Sequence, residues 1–312
     1  MSKLKVQLFL DSGAFSAWRM GVQIDIEEYI RFIKRNQDKI EVYANLDVIG
    51  GVKTDGSVAE KIRPGEESAK ATLANQKKME ATGLHPLPCF HYGEPFHYLE
   101  HYVDNYDYLA LGVAGNSGTS LIPWLDDCFH EYICDPDGMP TVKVHGFAVT
   151  SLKIMLRYPW YSVDSTSWIM TGRMGKIYLP FRTRDGKWLY NEQSWKIGVS
   201  NRSPAQKTKG QHVSTLSKEE RRIFMMYLEE KGYILGESTF RMESSKYKLQ
   251  PNEKWFGKKT ADGKREVETI VTPGICNDYK MRDELNIIYY LDLEKSMPKW
   301  PWAFKGGRRG FF

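Results

Sequence analysis

Short apolar runs alternate with segments of helical spacing through the first 180 residues of the chain. We predict seven strands, over residues 6–10, 40–46, 85–91, 106–113, 141–149, 160–163 and 175–180. Strands separated by helices are typical of βαβ units, in which the strands lie parallel in one sheet. Because polar or small residues follow the strands, the pattern favours an α/β fold of the (β/α)8, TIM-like barrel type over an open sheet.

Capping signals support the helices between these runs. Asp25, followed by two glutamates, is typical of an N-cap with acidic residues in the first helical turn. Pro64 stands at the start of a second helix that we expect to end before Gly83. Helices predicted over residues 120–133 and 150–157 complete the alternation.

The chain changes character after about residue 185. The following segment is rich in Gly, Ser, Asn and Lys, and its one strong helix signal is a capping box that begins at Ser217. We therefore predict three parts: residues 1–185 with barrel strands one to seven and the active site, residues 186–283 as a basic, nucleic-acid-binding insertion, and residues 284–312 with the last barrel strand, over 285–291, and a basic tail.

Charge is distributed unevenly along the chain. The first 150 residues carry 14 Lys and Arg against 21 Asp and Glu, whereas residues 151–312 carry 30 against 18. The second part is also rich in tryptophan. A basic, aromatic-rich region is typical of proteins that bind a phosphate backbone, and a solvated basic surface is the alternative interpretation.

The four cysteines are too few for a disulfide scaffold in a chain of 312 residues, so a reducing, cytoplasmic location is expected. No apolar run approaches the roughly 18 residues that a membrane span needs, and we expect no membrane partner. Cys128, His130 and Cys134 are three possible zinc ligands, but their spacing is typical of an amphipathic helix rather than of a zinc knuckle.

Carboxylates or a histidine follow four of the predicted strands. They are Asp11 after strand one, Asp47 after strand two, His91 after strand three and Asp164 after strand six. At the C-terminal rim of a parallel barrel such residues would converge on one site. Each Asp could instead cap a turn or helix, and His91 could be a hydrogen-bonded core histidine. These four residues could also form the metal centre of a barrel hydrolase, although strand one lacks the paired histidines usual in such enzymes. A non-catalytic nucleic-acid-binding module is a further alternative.

Two motifs resemble those of the tRNA-guanine transglycosylases. The segment Asp11-Ser-Gly-Ala-Phe15 is similar to the Asp-Ser-Gly-Gly-aromatic signature of that family. The segment His145-Gly-Phe-Ala-Val149, a helix, and then Ser162-Val-Asp164-Ser resemble its Gly-rich strand, helix and nucleophile strand, and Asp47 matches its base-recognising Asp. The resemblance covers about residues 6–180.

The chain departs from the tRNA enzymes in three respects. It lacks their Cys-x-Cys-x-x-Cys zinc site, it has His91-Tyr-Gly93 in place of their Gln-Gly-Gly, and its C-terminal region is short and different. These departures are similar to the phage and bacterial branch of DpdA-like DNA-guanine transglycosylases. The resemblance therefore implies DNA and a 7-deazaguanine base as partners, no zinc or other cofactor, DNA modification that evades restriction, and the host cytoplasm if the chain is phage-encoded.

The implied reaction is a base exchange, and exchange on tRNA is the close alternative. Asp164 would attack C1′ of the target nucleoside to form a covalent intermediate, and Asp11 would take the proton from the incoming base. Asp47 would bind the amino edge of the purine and Phe15 would stack on it. The remaining base-binding candidates are Ser12, Gly13, His91, Gly112 and Gly146. The candidate phosphate contacts are Arg182, Arg184, Lys187, Arg202, Lys207 and Lys209.

Overall fold

The computed structural model of the chain describes residues 8–49, 65–112, 118–203 and 207–306. The fold is mixed α/β and divides into two compact units. The first unit is Met1–Ser165 together with Pro298–Phe312, and the second is Thr166–Met297. The boundary between the units therefore follows Ser165, whereas the predicted boundary between the first two parts of the chain is at residue 185.

Parallel strands form the centre of the first unit. Its described strands are β1 (Leu8–Leu10), β2 (Ile40–Tyr43), β3 (Cys89–His91), β4 (Tyr108–Gly112), β5 (Lys143–Gly146) and β6 (Ser162–Val163). Each lies within one of the first six predicted strands, so those predictions are confirmed apart from their ends. Residues 6 and 7 of the first predicted strand and residue 113 of the fourth lie outside the described residues.

The strands follow one another in chain order. β1 pairs with β2, and β3, β4, β5 and β6 form a four-stranded sheet, with every pairing parallel. A parallel bridge between Ala44 and Leu87 connects the end of β2 to the segment that leads into β3. Phe9 of β1 stacks on His145 of β5, with ring centroids 4.4 Å apart. β1 and β5 are not neighbours in the strand order, so this contact brings two non-adjacent strands of the unit together.

Helices connect these strands as predicted. They are α1 (Ala14–Met20), α2 (Ile26–Asn36), α3 (Glu66–Glu80), α4 (Phe96–Asn105), α5 (Ile122–Asp127) and α6 (Leu152–Arg157). A π-helical turn, Cys128–Ile133, continues α5. Asp25 caps α2 by accepting a hydrogen bond of 2.8 Å from the backbone N–H of Glu27, which confirms the predicted N-cap. Ile33 of α2 and Met79 of α3 are fully buried, and burial of such side chains contributes roughly 1.5–3 kcal/mol each.

The second unit contains antiparallel strands and three described helices. In chain order its elements are α7 (Ser167–Arg173), β7 (Lys176–Leu179), β8 (Phe181–Arg182), β9 (Trp188–Leu189), β10 (Trp195–Gly198), α8 (Lys218–Glu230), β11 (Glu237–Ser244), β12 (Glu253–Phe256), β13 (Lys264–Thr272) and α9 (Tyr279–Ser296). β13 is the central strand of a three-stranded sheet with β11 and β12. The predicted capping box is confirmed: Ser217 and Glu220 hydrogen-bond each other reciprocally at the start of α8.

The seventh predicted strand is present as β7, but its pairing differs from the prediction. β7 lies in the second unit and pairs antiparallel with β10. The short hairpin of β8 and β9 occupies the connection between them, and Gly186 in its turn has φ of 89°. A parallel neighbour requires a long crossover, usually a helix, whereas a chain that reverses through a hairpin returns antiparallel.

The prediction of an eighth barrel strand over residues 285–291 is wrong. These residues lie inside α9, whose N-cap, Asp278, accepts a hydrogen bond of 2.8 Å from the backbone N–H of Lys280. Leu285, Tyr289 and Leu293 are buried at a spacing of four residues, whereas Leu291 is exposed. This is the periodicity of a helix, and a short apolar run does not distinguish a helix from a strand without its neighbours.

Within the described ranges, no helix combines the length and the apolar character that crossing a lipid bilayer requires.

The four cysteines are free thiols, and Cys89, Cys128 and Cys276 are buried.

Candidate active site

Asp164 follows β6 at the carboxyl end of the parallel sheet. Its backbone N–H donates to the carbonyl of Gly146 at 3.2 Å, which continues the pairing of β6 with β5. The side chain is 48% exposed, and its Oδ1 accepts a hydrogen bond of 2.8 Å from the backbone N–H of Ala148. Ala148 has φ of 57°, in the left-handed region that non-glycine residues seldom adopt. Strained backbone of this kind concentrates at functional sites.

His145 lies behind Asp164 in the interior of the first unit. Its side chain is 3% exposed, and its Nε2 is 3.7 Å from Asp164 Oδ1. On the other side of the ring, Nδ1 is 2.6 Å from Ser162 Oγ, and Ser162 Oγ is in turn 2.6 Å from the hydroxyl of Tyr108. Three polar side chains therefore connect the interior of the sheet to the candidate nucleophile.

Asp11 follows β1 and lies close enough to two other carboxylates to be affected by their charges. Solvent reaches the side chain, yet the surrounding protein raises its pKa by desolvation, and the negative charges of Asp47 and Asp164 raise it further. Hydrogen bonds from the backbone of Gly13 and Ser12 partly oppose this rise. A raised pKa makes this carboxyl group a stronger proton acceptor than an ordinary Asp, which suits a general base.

A buried network lies beside Asp11. Asp47 is 9% exposed; its Oδ1 accepts from Ser12 Oγ at 2.7 Å and its Oδ2 accepts from His91 Nε2 at 2.9 Å. Burial would raise the pKa of Asp47, but the hydrogen bonds and charge of His91, with the Ser12 hydroxyl, lower it overall. The carboxylate is therefore ionised and held by protein groups.

His91 carries a positive charge within this network. Burial would lower its pKa, but the hydrogen bonds with Asp47 and Glu94 outweigh burial and raise the pKa to about 10. Glu94 accepts from the backbone N–H of His91 at 2.7 Å, and its second oxygen is 3.4 Å from His91 Nδ1. An imidazolium therefore lies between two carboxylates, with Ser12 attached to one of them.

Two predicted glycines contact protein side chains. A methyl group at Gly112 would overlap the ring of His91, and one at Gly146 would lie 2.7 Å from Val149 Cγ2 and 3.0 Å from the ring of Trp160. Glycine at these two positions therefore lets the His91 and Trp160 rings pack against the sheet. In the structure these rings occupy the space next to the two glycines that the sequence prediction assigned to a base.

The loop after Asp11 is built for a sharp turn. Gly13 has φ of 75° and caps α1, so a residue with a side chain would be strained there. Ser12 Oγ accepts from the backbone N–H of Ala14 at 3.1 Å while it donates to Asp47. Phe15 follows on the first turn of α1 and is 39% exposed, and the guanidinium of Arg19 lies over its ring, 6.0 Å from the centroid.

The structure thus brings Asp11, Ser12, Asp47 and His91 into one cluster, and the charge of Asp164 acts on Asp11. Sequence reasoning missed Glu94, Tyr108 and Ser162 and gave no role to His145. His145 and Ser162 are directly opposite each other in β5 and β6. The register of these two strands is therefore the feature that could have identified them as partners.

The six predicted phosphate contacts all belong to the second unit. Arg202 hydrogen-bonds the carbonyl of Trp255 and lies 3.3 Å from Glu268, and Arg182 lies over the ring of Trp188. Lys187 pairs with Asp185 at 3.3 Å. The remaining three are exposed; they are Arg184, Lys207 and Lys209.

The possible zinc ligands and the acidic cluster do not form a metal centre among the described residues. Within the part of the chain that the structure describes, no group of three or more His, Cys, Asp or Glu side chains is placed to hold a metal ion. Cys128 is buried in the π-helical turn, and the ring of His130 hydrogen-bonds the carbonyl of Gly306 at 2.9 Å.

The charged His91 predicts a specific pH dependence of stability. Because the folded pKa is about 10 and the ordinary value is 6.5, the contribution of His91 is fully present below about pH 6.5 and is lost as pH rises towards 10. The free energy of unfolding of the native protein should therefore fall over this range with a slope approaching about 1.4 kcal/mol per pH unit from this group. Denaturant titrations at a series of pH values, on the native protein and on His91→Gln, measure the difference.

His91→Gln should show a shallower pH slope and, below about pH 6.5, a stability lower by about 3–5 kcal/mol, because it leaves two buried carboxylates without their cation. The difference should shrink as pH rises towards 10. Titrating groups that do not contact His91 are common to both proteins and cancel in the difference, whereas Asp47 loses the partner that lowers its pKa. Parallel pH profiles for the two proteins would contradict the charged state of His91.

Comparisons of the chain with protein-family models, with curated proteins and with solved structures find no match. The functional conclusion therefore depends on the geometry around Asp11 and Asp164 and on the motifs that contain them.

Proposed function

We propose that the chain is a DNA-guanine transglycosylase, a pentosyltransferase that exchanges guanine in DNA for a 7-deazaguanine such as 7-cyano-7-deazaguanine. One observation carries the proposal. Asp11 and Asp164, from the carboxyl ends of β1 and β6, interact electrostatically, and Asp164 is half-exposed with one oxygen fixed by a backbone N–H. This pairing offers an accessible nucleophile next to a carboxyl group with a raised pKa.

The two carboxylates divide the chemistry between them. Asp164 attacks C1′ of the target nucleoside, the bond from C1′ to guanine N9 breaks, and the departing guanine takes a proton from Asp11. The 7-deazaguanine then attacks C1′ from the opposite face and loses its proton to Asp11, and the bond from C1′ to Asp164 breaks. Two inversions retain the configuration at C1′, as in retaining glycosidases.

The arrangement of the first unit supports a TIM-like barrel for this chemistry. Its described strands run parallel and in chain order, and Phe9 of β1 stacks on His145 of β5 although the two strands are not neighbours. Both carboxylates follow the carboxyl ends of their strands, where barrel enzymes carry their active sites.

The bases would be held by the loop after β1. The exposed ring of Phe15 can stack on a purine. Asp47 and His91 are buried and hydrogen-bonded to each other, so they support this loop through Ser12. A carboxylate has lone pairs beyond those that Ser12 and His91 use, and Asp47 retains its proposed role towards the amino edge of the base.

The nucleic-acid substrate would contact the basic second unit. A base in duplex DNA must leave the stack, or be single-stranded, to reach a carboxylate at the end of a strand. Exposed lysines provide phosphate contacts whose strength falls with salt, and Lys207 and Lys209 are both exposed.

Replacing Lys207 and Lys209 together with Ala should weaken DNA binding and flatten its salt dependence. Each phosphate contact contributes about 0.9 to the slope of log K against log salt, so loss of two contacts should reduce the slope by roughly 1.8. Fluorescence anisotropy at several salt concentrations measures the slope. The exposed pair Lys77 and Lys78 in the first unit provides a control with the same change of charge, and an equal effect of the control pair would argue against a specific surface.

Exchange of radiolabelled guanine into DNA and, in parallel, into tRNA tests the proposal. We expect label to enter DNA and 7-cyano-7-deazaguanine to compete with it. Label in tRNA only would keep the chemistry and change the substrate. Label in neither nucleic acid would contradict the proposed function.

A further inference from the structure

A buried hydrogen-bond chain ends opposite Asp164. His145 is almost completely buried, and its Nε2 has no hydrogen-bond partner among the described residues, although it lies 3.7 Å from Asp164 Oδ1. A buried polar atom without a partner is costly and requires an explanation. Phe9 stacks on one face of the ring and Phe147 packs edge-on against it, so the direction of Nε2 is fixed.

The two hydrogen bonds allow a donor order that starts from Tyr108 and places the ring proton of His145 on Nε2. Tyr108 is the better donor of the two hydroxyls, and burial raises its pKa, so the phenol stays protonated. Tyr108 therefore donates to Ser162 Oγ, and Ser162 donates its own proton to His145 Nδ1. With Nδ1 accepting, the ring proton lies on Nε2, which is the atom that faces Asp164.

We propose that His145 is a positioning residue that, together with the Ala148 N–H, holds and stabilises Oδ1 of Asp164. This role rests on the proposed function. When the 7-deazaguanine N9 attacks C1′, the bond from C1′ to Asp164 breaks and its electron pair returns to the carboxylate, while the N9 proton passes to Asp11. The returning negative charge is what a donor at Oδ1 stabilises.

The consequence is an asymmetric effect on the two halves of the reaction. Loss of the Nε2–H should slow departure of Asp164 from the sugar more than its attack, because charge leaves the carboxylate in the first half and returns in the second. Covalent protein–DNA adduct should therefore accumulate. Removal of a donor from a developing oxyanion lowers kcat by about 10²–10³-fold; since the Ala148 N–H remains, we expect a loss of roughly 10- to 100-fold.

His145→Phe is the variant that isolates this effect, because a phenyl ring keeps the stacking on Phe9 and removes both nitrogens. We expect kcat for exchange to fall, the steady-state fraction of denaturation-resistant adduct to rise, and the KM for DNA to fall with kcat, so that kcat/KM for DNA changes little. Ser162→Ala removes the hydroxyl that donates to His145 Nδ1, so the ring proton is no longer held on Nε2. This variant should have a smaller effect in the same direction. His97→Phe, at an exposed position of α4, is the matched control.

A second measurement examines the tautomer without reference to activity. In protein with ¹⁵N-labelled histidine, the His145 ring, assigned by its absence in His145→Phe, should show the Nε2–H form, and this preference should weaken in Ser162→Ala. An Nδ1–H ring, or native kcat and adduct levels in His145→Phe, would overturn the role of His145 alone. Absence of exchange by the native protein would instead overturn the proposed function, and the catalytic role with it.

Discussion

Replacing Asp164 with Asn should reduce guanine exchange by at least about 10³-fold, the largest effect that we expect from any single substitution. An amide cannot form the ester to C1′, so the two-step path is lost rather than slowed. The side chain is half-exposed, and Asn can still accept from the Ala148 N–H, so folding should be nearly unchanged. Label exchange and the thermal unfolding midpoint, measured together, separate chemistry from stability.

Asp104→Asn provides the control for Asp164→Asn. Asp104 is exposed on α4 and plays no part in the proposed chemistry, so its exchange rate should equal that of the native protein. DNA affinity of Asp164→Asn should also remain native, because the proposed phosphate contacts lie in the other unit. If Asp164→Asn exchanged guanine at the native rate, Asp164 would not be the nucleophile.

Replacing Asp11 with Asn should lower kcat/KM by about 10²–10⁴-fold, the usual contribution of a general acid or base. The native protein should also show an acidic limb in its pH profile. In the second half-reaction, measured as kcat/KM for the incoming base, Asp11 accepts a proton, so this parameter should rise with pH through the pKa of Asp11. Desolvation by the surrounding protein and the charge of Asp47, which both remain in the glycosyl-enzyme, raise that pKa above the ordinary 3.8.

Loss of the acidic limb of the pH–activity profile in a variant would identify the residue that titrates there. In Asp11→Asn the remaining activity should lose this limb, whereas Asp104→Asn should retain it at the native position. Kinetics over pH 4–8, with stability checked at each pH, provide the comparison. If the pH–activity profile of Asp11→Asn kept its acidic limb at the same midpoint pH, the proton transfer would belong to another group.

Much of the first unit could be predicted from its hydrophobic pattern. Alternation of strand and helix located β1 to β6, and local capping chemistry located the starts of α2 and α8. These signals are local, so they do not depend on the rest of the fold. The prediction of a strand over residues 285–291 was wrong because a buried helix face and a buried strand have similar apolar patterns over seven residues.

The residues that follow the predicted strands, including the buried Asp47 and His91, could also be predicted, but their side-chain partners could not. Asp11 and Asp164 stand out because each follows an apolar run directly. The roles of His145 and Ser162 depend on the register of β5 against β6, and Glu94 acts through the backbone of His91. Side-chain partners of this kind depend on pairing across strands, which one sequence does not specify.

Mapping the covalent adduct tests the central claim most directly. The native protein is incubated with guanine-containing DNA, denatured and digested with protease and nuclease, and the peptides are examined by mass spectrometry. We predict a deoxyribose-derived adduct on Asp164, absent from Asp164→Asn and more abundant in His145→Phe. An adduct on another residue, or exchange that proceeds without any adduct, would contradict the account.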